Sequence, residues 1–249
     1  MKILLAITTF NEIAITDECL KNIINKKDIY PILLDDYSNR DNIKILSKKY
    51  NVPMIGKVRH TGLTHSWNLA YKYFIENDYD FLFLSNNDVL IPEQTLDLLS
   101  SSLLNSDCHV VVPCSTVKGA GIGKCGVAQG IKSLSPISEI DVNDPKNFQE
   151  VQNILINNNI FEKEKKDFFN GFFFGFGKNI SQYEIKKNIL FNPKLINLTN
   201  EIDLYTRIKK KYTNKILYVR NAFVFHYKGY TLNINTRRDN LNIVRKKYL

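Results

Sequence analysis

Cysteine is scarce: the chain has four in 249 residues, Cys19, Cys108, Cys114 and Cys125, with no Cys-x-x-Cys pair and no histidine at zinc-finger spacing. Neither a structural zinc site nor a disulfide framework is indicated, and a reducing cytoplasm fits best. No apolar run approaches the ~18 residues of a membrane span. The N-terminal run Ile3-Leu4-Leu5-Ala6-Ile7 stops at Thr8 with no small-residue cleavage site after it, so it reads as a first buried strand rather than a signal peptide. No internal repeat is visible. The Gly119-Ala120-Gly121-Ile122-Gly123-Lys124 run lacks Walker spacing and a strand-to-helix setting, which argues against a phosphate-cradling loop. Nucleic-acid-binding motifs are missing too, and the basic residues are scattered, so no nucleic-acid partner is expected.

Acids are outnumbered: 25 Asp and Glu face 34 Lys and Arg, a net charge of +9. A basic surface favours anionic partners such as nucleotides or phosphorylated lipids. Part of that charge reflects heavy use of Asn, Lys and Ile throughout, a pattern of codon bias. The basic tail from Thr236 to Leu249, with Arg237, Arg238, Arg245, Lys246 and Lys247, reads first as a solvated helix and second as a contact for phospholipid headgroups.

Short strands rich in Ile, Leu, Val and Phe alternate with helix-like segments through the first half, the α/β pattern. Strands are expected at Lys2 to Thr8, Tyr30 to Leu34, Met54 to Val58, Phe81 to Leu84 and His109 to Pro113. Helices are expected at Ala14 to Asn25, Arg40 to Tyr50, Ser66 to Glu76 and Pro92 to Leu104. Residues 1–115 therefore read as a Rossmann-like nucleotide-binding half. Beyond a Gly/Ser/Lys-rich loop, a peripheral helix is expected from Pro145 to Lys166, apolar patterning over Asp167 to Phe176, a helix from Glu201 to Tyr212, and a late strand from Ile216 ending at His226.

Several strands end in polar groups. Thr8-Thr9-Phe10-Asn11 leaves the first, Asp35-Asp36-Tyr37-Ser38 the second, Ser85-Asn86-Asn87-Asp88 a central one, and His226 closes the last. In α/β proteins the carboxyl ends of strands form the ligand crevice, so these groups point to one site. An acid after a buried strand, Asp88, is placed to hold a metal or a substrate hydroxyl.

With His60-Thr61-Gly62, Asn68, Asn170-Gly171-Phe172-Phe173 and Asn200-Glu201-Ile202-Asp203-Leu204, these segments resemble, in order and spacing, the inverting family 2 glycosyltransferases, particularly their rhamnosyltransferase-like branch. The resemblance spans nearly the whole chain. It implies a GT-A Rossmann-like fold: a mostly parallel central sheet flanked by helices on both faces, with residues 116–249 as an acceptor-binding half of one continuous domain.

The same resemblance implies a UDP- or dTDP-sugar donor, a glycan or lipid-linked glycan acceptor, and Mn²⁺ or Mg²⁺. Asp88 and His226 would be the protein ligands, with Asn86 and Asn87 completing the metal motif. Asp35 would recognise the base, and Asp36 would be a turn residue or a ribose contact. Thr8 and Asn68 are expected near ribose or diphosphate, Asn11, Gly62, Asn86 and Asn87 are expected to bind the donor as well, and Asn170 and Gly171 are expected near the donor sugar. Glu201 stands at the family's catalytic Asp with Asn200 in place of the preceding Glu. Asp203 is the alternative base, unless it simply pairs with Arg207 at i,i+4. A cytoplasmic enzyme with at most peripheral membrane contact follows. Two other functions stay open: a non-catalytic nucleotide-sugar or glycan binding module, and a sugar-phosphate nucleotidyltransferase, which lacks here the Gly-rich loop it normally carries after the first strand.

Overall fold

The computed structural model describes residues 1–24, 26–38, 40–116, 129–131, 140–158, 163–197 and 199–228, with the side chains of 40–42 excepted. The Gly119–Lys124 run and the basic tail lie outside them.

The first half follows the expected alternation: β1 (Ile3–Thr9), α1 (Ile13–Lys21), β2 (Ile29–Asp35), α2 (Arg40–Tyr50), β3 (Met54–Gly56), α3 (Leu63–Glu76), β4 (Phe81–Asn86), a two-residue β5 (Val89–Leu90), α4 (Thr95–Leu104) and β6 (Val110–Ser115). Then come α5 (Phe148–Asn157), β7 (Lys163–Lys166), β8 (Phe173–Gly177), α6 (Asn200–Lys211) and β9 (Ile216–His226). The expected helix from Pro145 to Lys166 is corrected here. It ends at Asn157, and Lys163-Glu164-Lys165-Lys166 instead pairs antiparallel with β9. Four charged residues in a row give a helix no apolar stripe, whereas an edge strand needs only alternate positions covered.

Among the described residues nine strands form one sheet in the order β3-β2-β1-β4-β8-β6-β9-β5, with β7 beside β9. It is parallel from β3 through β4 and again between β6 and β9, while β8 runs antiparallel between β4 and β6. The sheet is therefore mixed. Both faces are covered, as the unbroken apolar runs require. Ile3, Leu5, Ile7, Leu33, Phe81 and Phe83 join Cys19 and Leu20 of α1, Ile43 of α2, and Leu96 and Leu99 of α4 in one core. Their alternate neighbours Leu4, Ala6, Ile32, Leu34, Leu82 and Leu84 join Trp67, Tyr71 and Phe74 of α3 with Leu204 and Ile208 of α6 in the other. The two-residue period of a strand thus assigns each side chain to a face. Among the described residues no helix is long and apolar enough to cross a membrane.

Candidate active site

The parallel strands end together at Thr9, Asp35, Asn86 and Ser115, and β9 brings His226 to the same edge of the sheet. The short β5·β9 ladder pairs Val89 with His226, and the Tyr227 N–H donates to the Asp88 carbonyl at 3.0 Å. These bonds hold the Asp88 and His226 side chains against each other. His226 Nε2 lies 3.3 Å from Asp88 Oδ1, and both side chains are buried. The pair is close enough for an ion pair, yet Asp88 Oδ1 makes no hydrogen bond among the described residues. An oxygen with no aligned partner, beside an imidazole nitrogen, could be spanned by one divalent cation: the carboxylate suits Mg²⁺ or Mn²⁺, and the imidazole suits Mn²⁺ better than Mg²⁺. No group of three or more His, Cys, Asp and Glu side chains is arranged for a metal among the described residues.

Phe172 connects this pair to the rest of the site. Its ring stacks on His226 at 4.5 Å between centroids and 13° between planes, and its carbonyl accepts the Asn86 N–H at 3.0 Å. The preceding residue, Gly171, faces Glu201 at the start of α6. A methyl group added at Gly171 would sit 3.3 Å from Glu201 Cδ and Oε2 and 2.8 Å from Trp67 Cη2. Glycine is therefore required for Trp67 and the carboxylate to close on this backbone. Glu201 retains some accessible surface, but its carboxyl lies deep in the protein, and burial pushes it up to about 7 against a smaller lowering by its own backbone N–H. A carboxyl in that range is suited to take a proton near neutral pH.

Asp203 is otherwise engaged. Its Oδ2 accepts from Arg207 Nε at 3.0 Å, and Arg207 also donates to the Tyr183 carbonyl and to the Leu190 carbonyl at 2.7 Å. The i,i+4 pair thus ties α6 to the segment in front of it.

On the β1–β2 side the expected donor residues divide into two groups. Asp35 is buried, with both carboxylate oxygens 3.2 Å from the Ser38 N–H and one 3.4 Å from Thr9 Oγ1, which leaves lone pairs free for a further donor. Asp36 is spent on the loop that follows β3. It receives Lys57 Nζ at 2.7 Å, the Thr61 N–H at 2.9 Å and the Gly62 N–H at 2.8 Å, with His60 Nδ1 at 3.0 Å. Gly62, at φ 84°, makes the turn into α3 that these bonds need. The Asn11 N–H donates to Ser38 Oγ at 2.7 Å, and Thr8 Oγ1 donates to the Ser85 carbonyl.

Asn68 and Asn87 are turned to structural work. The Asn68 amide donates to the Phe191 carbonyl at 2.8 Å and accepts from the Leu190 and Phe191 N–H groups. Asn87 donates to Thr16 Oγ1 at 2.8 Å, buried against α1. Trp67, behind Gly171, and Gln129, whose Oε1 accepts the Asn170 N–H at 2.5 Å, belong to no motif in the sequence. Gln129 follows an aperiodic stretch that carries no signal for it.

A sheet-edge acid paired with a late histidine, and a buried carboxylate on α6 that faces Gly171, sit on a chain whose residues 5–180 match the model of glycosyl transferase family 2. The chain belongs to glycosyl transferase family 2. Its fold is of the GT-A type. Similar solved structures include S. aureus TarS 1–349 in complex with UDP-GlcNAc, at TM-score 0.60 and 14% identity over 99% of this chain and 65% of that one. Another structure of S. aureus TarS 1–349 matches at TM-score 0.60 and 14% identity over 91% of this chain and 60% of that one. GalNAc-T7 with UDP, GalNAc and Mn²⁺ matches at TM-score 0.67 and 13% identity over 98% of this chain and 48% of that one. This chain thus spans about half to two thirds of those proteins. No curated protein sequence matches it.

Proposed function

We propose that this family member is an inverting, metal-dependent glycosyltransferase of the cytoplasm that moves a hexose or deoxyhexose from a UDP- or dTDP-sugar to a hydroxyl of a glycan or lipid-linked glycan, in surface polysaccharide or glycoprotein glycan synthesis. One observation carries the reading: Phe172 stacks on His226 of the acid–histidine pair while Gly171, its neighbour, seats the raised carboxyl of Glu201. That arrangement supports a reading with diphosphate binding on one side of this dipeptide and proton removal on the other.

Asp88 and His226 would hold the divalent cation, which when bound offsets the charge that grows on the diphosphate leaving group. Asp35 meets the base with the lone pairs left free by Ser38, accepting the N3–H of uracil or thymine. Glu201 takes the proton of the acceptor hydroxyl onto a carboxylate oxygen. That hydroxyl oxygen bonds to the anomeric carbon as the bond from that carbon to the nucleoside diphosphate breaks, its electron pair leaving with the phosphate. One in-line displacement inverts the anomeric centre. Between the two acids, Glu201 is favoured because Asp203 is held by Arg207.

UDP- and dTDP-sugars screened for nucleotide release with Mn²⁺ or Mg²⁺, wild type beside Asp88→Ala and Glu201→Gln, test the reading. Metal-dependent consumption of one donor, lost in both variants, supports it. Donor binding without turnover in the presence of a range of glycan acceptors would make the chain a binding module instead.

A further inference from the structure

The end of β6 carries a buried donor that nothing in the site yet uses. Ser115 forms a parallel bridge with Gly130, and its carbonyl accepts the Ile131 N–H at 2.7 Å, so Gln129 is held beside the ligand-facing end of the strand. Gln129 is fully buried. Its Oε1 is fixed on the Asn170 N–H, which orients the amide, and its Nε2 has no hydrogen-bond partner among the described residues. The Oγ of Ser115 is buried and unpartnered in the same way. Buried amide groups are normally satisfied, and one left open calls for an explanation.

Covalent geometry places Nε2 no more than about 5 Å from the Asn170 nitrogen, because both ends of the amide share one carbon. Asn170 is followed by Gly171, which faces the Glu201 carboxylate. The open donor and the general base therefore flank one dipeptide. On the donor reading, an acceptor oxygen deprotonated by Glu201 must lie about 3–3.5 Å from the carbon it attacks, which would bring the ring being transferred near this dipeptide.

We propose that Gln129 Nε2 donates a hydrogen bond to an oxygen of the transferred sugar, a hydroxyl or an acetamido carbonyl, and so selects donors that keep that oxygen over their deoxy analogues. The assignment rests on the donor reading given above. Sites that hydrogen-bond a substrate oxygen reject the analogue lacking it far more strongly than apolar pockets reject a missing methylene.

Gln129→Glu separates this role from a structural one, since the carboxylate keeps an oxygen for the Asn170 N–H while replacing the amide donor with an acceptor. Calorimetric titration of the full chain with Mn²⁺ would compare UDP and dTDP alone, their hexose and N-acetylhexosamine conjugates, and deoxy analogues of whichever conjugate binds wild type best. The expected result is nucleoside diphosphate affinity within about twofold in both proteins, and a loss of tenfold or more for the parent sugar nucleotide in the variant. One deoxy analogue should bind wild type as weakly and be indifferent to the substitution. Equal losses for diphosphate and conjugate, or no loss at all, overturn the assignment. So does wild type that binds the diphosphates but gains nothing from any sugar. Wild type that binds no nucleotide overturns the donor reading itself, and the assignment with it.

Discussion

The Glu201 carboxylate rests against the bare Cα of Gly171, so closely that a methyl group there would meet its Cδ at 3.3 Å. That contact couples the shape of a backbone to the acidity of a side chain. With the carboxyl pushed up to about 7 by burial, the rate should rise about tenfold per pH unit below 7 and level off above it. Glu201→Gln should lower kcat by about 100-fold or more and leave donor affinity unchanged. A pH–rate profile beside donor titration measures both.

The same carboxyl predicts a stability signature. Its folded pKa is raised, so it favours the folded state below pH 4.5, and that contribution is lost as pH rises through about 7. Relative to wild type, Glu201→Gln should gain thermal stability steadily between pH 4.5 and 7 and hold a constant advantage above. Melting curves across that range check the sign.

Gly171→Ala should place a carbon 2.8 Å from Trp67 Cη2 and push on Glu201. Overpacking of this kind costs about 1–3 kcal/mol. The expected kinetic result is a fall in kcat larger than any change in donor KM. Adding Trp67→Phe removes the offending ring edge, so the double variant should recover part of the lost stability, a coupling that a thermodynamic cycle detects.

Asp88→Asn should leave the metal-free protein as stable as wild type or more so, because a buried carboxylate with an open oxygen is costly to keep. Wild type should gain in melting temperature with Mn²⁺ and UDP together and lose that gain on chelation. The variant should show little of either effect.

Asp203→Asn and Asn68→Ala serve as the opposite kind of control. The first weakens a charge-assisted bond to Arg207, worth on the order of 1–3 kcal/mol, and should leave the shape of the pH–rate profile intact. The second strips three backbone groups of their partners and should destabilise by about 2–4 kcal/mol, with a smaller effect on donor affinity. Denaturant unfolding beside kinetics distinguishes both from losses at the reacting groups.

Strand and helix positions through residue 115 were legible because each strand is a short apolar run and each helix has one buried stripe. Asp88 and His226 could be paired from sequence only through the family's order of motifs, since 138 residues separate them and the β5·β9 ladder, with the Tyr227–Asp88 backbone bond, brings them together. Other residues were out of reach for physical reasons. Asn68 and Asn87 look like ligand-binding amides in sequence, but an amide bonds backbone or hydroxyl partners just as well, and only tertiary contacts decide. Gln129 sits in a segment without periodicity, and Trp67 reads as an ordinary core aromatic of α3. The edge strand β7 was mistaken for helix because charge alone carries no period.

Strand β8 has a consequence for how the chain is made. It inserts antiparallel between β4 and β6, so β4 has no neighbour on that side until Phe173–Gly177 is available. During synthesis, at roughly 5–20 residues per second, Phe81–Asn86 leaves the ribosome many seconds ahead of its partner, an apolar strand with an open edge. Nascent chains of this protein should therefore lean on holdase chaperones over that interval, and a fragment ending near residue 115 should aggregate rather than fold as a donor-binding unit.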